Sequence, residues 1–369
     1  DDRVLMVDPF SERVRAIGRV LPGFDSSDIA VASEDGLELY RFDSNGRPLR
    51  PLETRTGATL WQFEYDAAGR LIRLIDRDGN VTTIERTAAG EPAVIVAPFG
   101  QRTNLSLNTD GYLSRLTDPA GQRYEFSYTP GGLLTRLIDP NGQFYQFSYD
   151  AFGRLTRDLD PAVGSQDLSR ALVANGFEVT RTTGLARATT YRVEELPTGQ
   201  HRRVITEPSG LKTDRLIGTN GSHTTTTPDG TLTTLTQGPD PRFGMEAPIV
   251  QSLTVKTPSG LTSVTQGSRI ATLADPSNPS SLKTLTDKTT VNTRIFTSLY
   301  TAATKTRTDT SPVGRIVRSI LDEKSHVVET QVDSLEPVRY TYDLAGRVQT
   351  MSQGTGAAAR TTTFAYNPQ

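Results

Sequence analysis

Residues 124–153 read YEFSYTPGGLLTRLIDPNGQFYQFSYDAFG. Aromatic side chains occupy alternate positions at Tyr124, Phe126 and Tyr128, with Glu125 and Ser127 between them, and the pattern returns 21 residues later at Tyr145, Phe147 and Tyr149. A period of two is that of a strand with one apolar face. The segments between strands, TPGG, DPNG and DAFG, are turn sequences: Asp can accept from local amides, Pro presets its own φ, and Gly supplies a positive φ. Outward from this stretch the glycines keep time. One series runs Gly69, Gly90, Gly111, Gly132, Gly153 and a second runs Gly79, Gly100, Gly121, Gly142, each in steps of 21. A fixed period decides the architecture, and two turns per period make each unit a hairpin.

Residues between the turns form columns. Trp61, Phe63 and Tyr65 open the pattern, and its middle position reads Phe63, Ile84, Leu105, Phe126, Phe147 down the repeats. The return strand carries Leu71, Leu113, Leu134, Leu155 and, two residues on, Arg73, Arg115, Arg136, Arg157. After about residue 160 the strict period dissolves. The turn grammar persists as EPSGL (207–211), TPDGT (227–231), TPSGL (257–261) and SPVGR (311–315), and eight of the twenty residues at 221–240 are Thr, which suits exposed strands. YDLAGR returns at 342–347, and the final FAYNPQ is expected to open a further unit. The reading is all-β: tandem hairpins forming one spiralling sheet. Regular repeats are placed at 60–160, a Thr-rich irregular part of the same wall at 161–337, and renewed repeats at 338–369. Gly69, Gly79, Gly132, Gly142, Gly153 and Gly346 are expected to be structural turn residues.

Composition excludes several functions. The 369 residues hold 40 Lys+Arg against 42 Asp+Glu, a net charge of −2 without a basic block, which argues against nucleic acid as a partner. No cysteine is present, so disulfides, thiolate catalysis and zinc–thiolate sites are excluded. His201, His223 and His326 form no metal-binding pair, and no metal or other cofactor is expected. No apolar run approaches the roughly 18 residues of a membrane helix, and no membrane insertion is expected. The opening DDRVLMVDPF lacks the basic start of a signal peptide, so the chain is expected to be an internal part of a longer protein.

YDAAGRLIRLIDRDGN (65–80), YDAFGRLTRDLD (149–160) and YTYDLAGRV (340–348) resemble the YD repeat of the RHS family, found in bacterial RHS and polymorphic-toxin proteins, the shells of insecticidal toxin complexes, and teneurins. Residues 38–71 are similar to the teneurin segment where a β-propeller gives way to the shell, so residues 1–59 are expected to be the end of a propeller-like or transition segment. The resemblance implies that the hairpin sheet is part of a hollow barrel or cocoon. It also implies a bacterial, exported or cell-surface setting, with other shell segments as neighbours and an enclosed effector or a surface glycan as partner. Toxin-type members end in an autoproteolytic aspartate cluster and a variable effector; no such segment stands here, so no cleavage residue is carried over.

Several residues invite sharper readings. Asp76, Asp78 and Asn80 resemble half of a calcium loop, but VTTIERT (81–87) follows where the remaining ligands would stand, and a hairpin turn is preferred. No nucleophile motif accompanies a histidine. A carboxylate pair for glycoside hydrolysis could involve Glu194, Glu195 or the aspartates, yet Asp118, Asp139 and Asp160 recur with the turns, and a structural role is preferred. No catalytic residue is assigned. Trp61, Tyr124, Tyr128, Tyr145 and Tyr149 could form a sugar-binding platform, although packing of the inner face explains the column more simply. The arginine column is read as a solvated ladder balanced by neighbouring acids, in preference to a site for an anionic partner. Together these readings describe a non-enzymatic shell segment, with a carbohydrate-binding surface module as the alternative and a glycoside hydrolase behind it.

Overall fold

A computed structural model of the chain describes residues 4–8, 13–17, 29–162, 164–354 and 356–367. Within them the only helical elements are two single 3-10 turns, Ala302–Thr304 and Gly356–Ala358. From Trp61–Tyr65 to Arg360–Thr363, 27 strands form an antiparallel sheet in which neighbours in the chain are neighbours in the sheet. Val4–Asp8 pairs separately with Arg13–Ile17, and Ile29–Ala32, Glu38–Phe42 and Pro48–Glu53 form a three-stranded sheet. The chain folds as two compact units: Asp1–Thr82 with Gln237–Leu253 and Val264–Gln369, and Thr83–Thr236 with Thr254–Ser263.

In the second unit the register lays out the two faces. Leu105 stands opposite Leu116, which stands opposite Tyr124; Phe126 stands opposite Leu137, which stands opposite Tyr145. Directly opposed residues share a face, so these side chains form one apolar surface. The sequence pattern implies that Phe126 and Phe147 are mostly buried, but both are only half-buried. Fully buried apolar residues gather in two small clusters, Ala32, Leu39 and Ala247, and Leu282, Leu285 and Tyr300, all in the first unit. Among the described residues of the second unit, no apolar side chain is fully buried. Its rings are covered sideways by their neighbours in the sheet.

The repeating Tyr has a distinct local geometry. The ladder slips by one residue at Glu64/Tyr65, Ser127/Tyr128, Ser148/Tyr149 and Thr341/Tyr342, so each of these tyrosines stands at a β-bulge. A bulge re-aims a side chain. The Tyr128 hydroxyl donates to the Leu113 carbonyl at 2.8 Å, Tyr149 to Leu134 at 2.7 Å, and Tyr342 to Val327 at 2.7 Å, each reaching back 15 residues. Tyr65 makes the corresponding bond to Pro48. In these repeats the tyrosine thereby ties a hairpin to the chain before it, whereas the bulge position is Arg86 or Leu107 in the two repeats between Tyr65 and Tyr128.

The residue after the bulge builds the turn. Asp150 N–H donates to the Arg154 carbonyl at 2.9 Å and Gly153 N–H to the Asp150 carbonyl at 3.0 Å. Asp150 Oδ1 accepts from the amides of Phe152 and Arg154, while Oδ2 accepts from Arg154 Nε at 2.7 Å. Asp66 with Arg70 and Asp343 with Arg347 repeat this arrangement. The YDxxGR motif is therefore a bulge, a capped turn and a local ion pair in succession.

Candidate functional site

The aromatic residues singled out in the sequence separate by role. Tyr128 and Tyr149 spend their hydroxyls on the backbone carbonyls, and burial pushes the Tyr128 phenol above its ordinary value. Tyr124 and Tyr145 instead line an open cleft of about 540 Å³ with Leu137, Pro140 and Phe147, and Gln122, Asp139 and Asn141 at its polar rim. Trp61 lies in the other unit and is 44% exposed. Asp139 Oδ1 accepts from the amides of Asn141 and Gln143, so one oxygen of the rim carboxylate is occupied by the turn.

The opposite face carries the arginine column. Arg115 bonds Glu125 at 3.0 Å, Arg157 lies 3.6 Å from Asp167, and Arg136 stacks 4.6 Å over the Phe144 ring. In the first unit Arg73 bonds Glu64 at 3.0 Å. Their side chains are two-fifths to half exposed, where such pairs contribute little stability each and keep the surface neutral. The ladder continues as Arg192 to Glu194 at 2.7 Å and Arg202 to Asp214 at 2.5 Å.

Turn residues occupy the sheet edges. Gly69, Gly79, Gly132, Gly142, Gly153 and Gly346 have φ of 77°, 88°, 85°, 76°, 77° and 77°. Asp118, Asp139 and Asp160 all accept turn amides. Glu194 is buried against arginines, whereas adjacent Glu195 is exposed; neighbours on one strand point to opposite faces, so the two do not form an acid pair. Asp76 caps its own turn, and Asp78 faces Lys324 and His326. Their oxygens do not converge, and among the described residues no cluster of three His, Asp or Glu side chains is placed to hold a metal.

A buried ionic cluster in the first unit escaped the sequence reading. Asp240 is 2% exposed and its Oδ1 accepts from the Arg242 amide at 2.6 Å, while Oδ2 accepts from Arg269 Nη1 at 3.0 Å. Arg242 reaches the Thr54 carbonyl at 3.1 Å, and Arg269 makes a forked pair with Asp287. Burial pushes the Arg242 guanidinium down and Asp240 opposes that shift. The cluster seats the three-stranded sheet against the Gly244–Lys256 strand, beside Ala32, Leu39 and Ala247. It interrupts no period, so nothing in the sequence marks it.

A meander of bulged, tyrosine-latched hairpins with one half-buried apolar face and one ion-paired face is a wall module of the YD-repeat class. The Teneurin YD-shell family model matches residues 26–369, and the chain belongs to that family. Mouse Teneurin-4 is 29% identical over 101 residues, human Teneurin-1 is 32% identical over 101, and zebrafish Teneurin-3 is 33% identical over 99. Each alignment takes in 27% of this chain and 4% of the relative. Among solved structures, TcdB2-TccC3 without its hypervariable C-terminal region aligns at a TM-score of 0.48 and 12% identity, covering 95% of this chain and 23% of that one. The TcdB2-TccC3-Cdc42 structure aligns at 0.48 and 12%, covering 99% and 25%. No helix among the described residues is long and apolar enough to cross a membrane.

Proposed function

We propose that this chain is a non-enzymatic wall segment of a bacterial exported or cell-surface shell, with its apolar face turned toward enclosed polypeptide and its arginine ladder toward water. The observation that carries the reading is the asymmetry of the faces. Leu105, Leu116, Phe126 and Leu137 are half-buried, and no apolar side chain described in the second unit is fully buried, while Arg115 and Arg157 opposite are matched by acids. Large half-covered apolar faces serve contact with another chain. The test uses the full-length product: a downstream effector segment should resist protease while the wall is intact and become cleavable when Leu116 and Leu137 are changed to Asp. Equal cleavage in both would refute enclosure. Turnover of a glycoside or peptide by this chain, abolished by a carboxylate mutation, would refute the non-enzymatic reading.

A second reading rests on the cleft between Tyr124 and Tyr145. Two rings with an amide and a carboxylate at the rim suit the apolar face and hydroxyls of a pyranose. A glycan array with the parent and Tyr124→Ala separates the readings: retention of a sugar by the parent alone supports the binding module, and no retention leaves the wall.

A further inference from the structure

Three turns of the first unit meet around one histidine. His326 is 5% exposed and its ring stacks on Tyr342, centroids 4.4 Å apart at 23°. Its Nδ1 lies 3.2 Å from Asp322 Oδ2 on its own turn, and its Nε2 lies 3.2 Å from Asp78 Oδ2, 248 residues away in the sequence. Lys324 Nζ bonds Asp78 Oδ1 at 3.2 Å, and Arg77 Nε lies 3.8 Å from Asp78 Oδ2. Asn80 Nδ2 donates to the Ala345 carbonyl at 3.0 Å. The Asp78 carboxylate fills the space beside Gly346, where a Cβ would stand 2.1 Å from Oδ2. The remaining charges nearby are engaged locally: Asp76 in its own turn, Glu323 with Lys305, and Asp343 with Arg347.

A neutral imidazole has one N–H, so it can donate to only one of two carboxylates and must turn a lone pair toward the other. Imidazolium donates from both nitrogens. We propose that His326 is a proton-dependent fastener: mild acid locks the 76–80 turn onto the 322–326 turn, and loss of the second proton loosens it. The lock requires both carboxylates ionised and the imidazole doubly protonated, because a protonated carboxyl would compete as a donor with the ring N–H facing it. Acidification therefore tightens this joint. The inference is independent of what the shell encloses.

The full chain has only three histidines, so each imidazole can be followed by NMR. Between pH 8.5 and 5.5 the His326 ring should pass from one N–H to two. Amide exchange at residues 77–80 and 344–346, corrected for the intrinsic pH effect, should slow on acidification, by up to about tenfold per pH unit for one coupled proton. His326→Gln should abolish that dependence while leaving exchange in the 124–149 hairpins unchanged. If this variant fails to fold, Asp78→Asn supplies the comparison, and the parent's NMR and exchange profiles remain decisive. A His326 ring with one N–H at pH 5.5, or identical corrected exchange at pH 5.5 and 8.5, would overturn the proposal.

Discussion

The turn glycines differ in what surrounds them. Gly132 has a φ of 85°, and a Cβ there would stand 2.7 Å from the Tyr112 ring, whereas at Gly153 the nearest atom is the Leu133 methyl at 3.5 Å. Tyr112, after Gly111, and Leu133, after Gly132, thus lean over the next turn on the same edge. Left-handed backbone costs a non-glycine residue roughly 1–2 kcal/mol. Gly153→Ala should lose about that amount in a urea titration, and Gly132→Ala should lose more because a rigid ring must move. Equal losses would show that the turns do not pack on one another. The need for glycine was legible from the 21-residue series and the turn chemistry. Which glycine is crowded was not, because that depends on a side chain one hairpin away.

At the scale of the strand, alternation reveals which residues share a face but not how deeply they are covered. Phe126 is half-buried, so Phe126→Ala should cost about 2 kcal/mol, below the roughly 3–5 kcal/mol of a closed core site. A measured loss in that higher range would mean another layer covers the face. The Tyr latch was legible only as a column: alternation placed Tyr128 with Phe126, while the bulge that sends its hydroxyl to Leu113 arises from the cross-strand register. Buried ions were illegible for a related reason. Asp240, Arg242 and Arg269 lie outside the repeat, and only folding brings Thr54 and Asp287 to them. Asp240→Asn takes the shared anion from buried Arg242 and half-buried Arg269, and should cost about 3–5 kcal/mol in thermal or urea unfolding. A loss under about 1 kcal/mol would show that water reaches the cluster.

Across the whole molecule the same turn is used many times, and its carboxylates give the fold a common response to acid. The Arg70 amide holds Asp66 below the usual range, the Arg347 amide does so for Asp343, and the Arg154 guanidinium leads at Asp150. At Asp229 the Thr227 hydroxyl leads, followed by the Thr231 amide and hydroxyl, and the carboxyl is brought down to about 2. A carboxylate whose folded value is depressed binds protons more readily in the unfolded chain. Its stabilising contribution is therefore complete above the unfolded value near 4 and is lost as pH falls through the folded value. The urea midpoint should accordingly fall between about pH 4 and 2, and replacing Asp66, Asp150 and Asp343 together with Asn should flatten that descent while lowering the midpoint at neutral pH. Because these groups sit at the solvent edge of the sheet, half-exposed at Asp66, Asp150 and Asp343 and exposed at Asp229, each contributes little, and the descent should be gradual. A midpoint that is constant from pH 4 to 2 would mean that the turn carboxylates are no better solvated in the folded chain than in the unfolded one, and that the turns are held by backbone geometry and glycine alone.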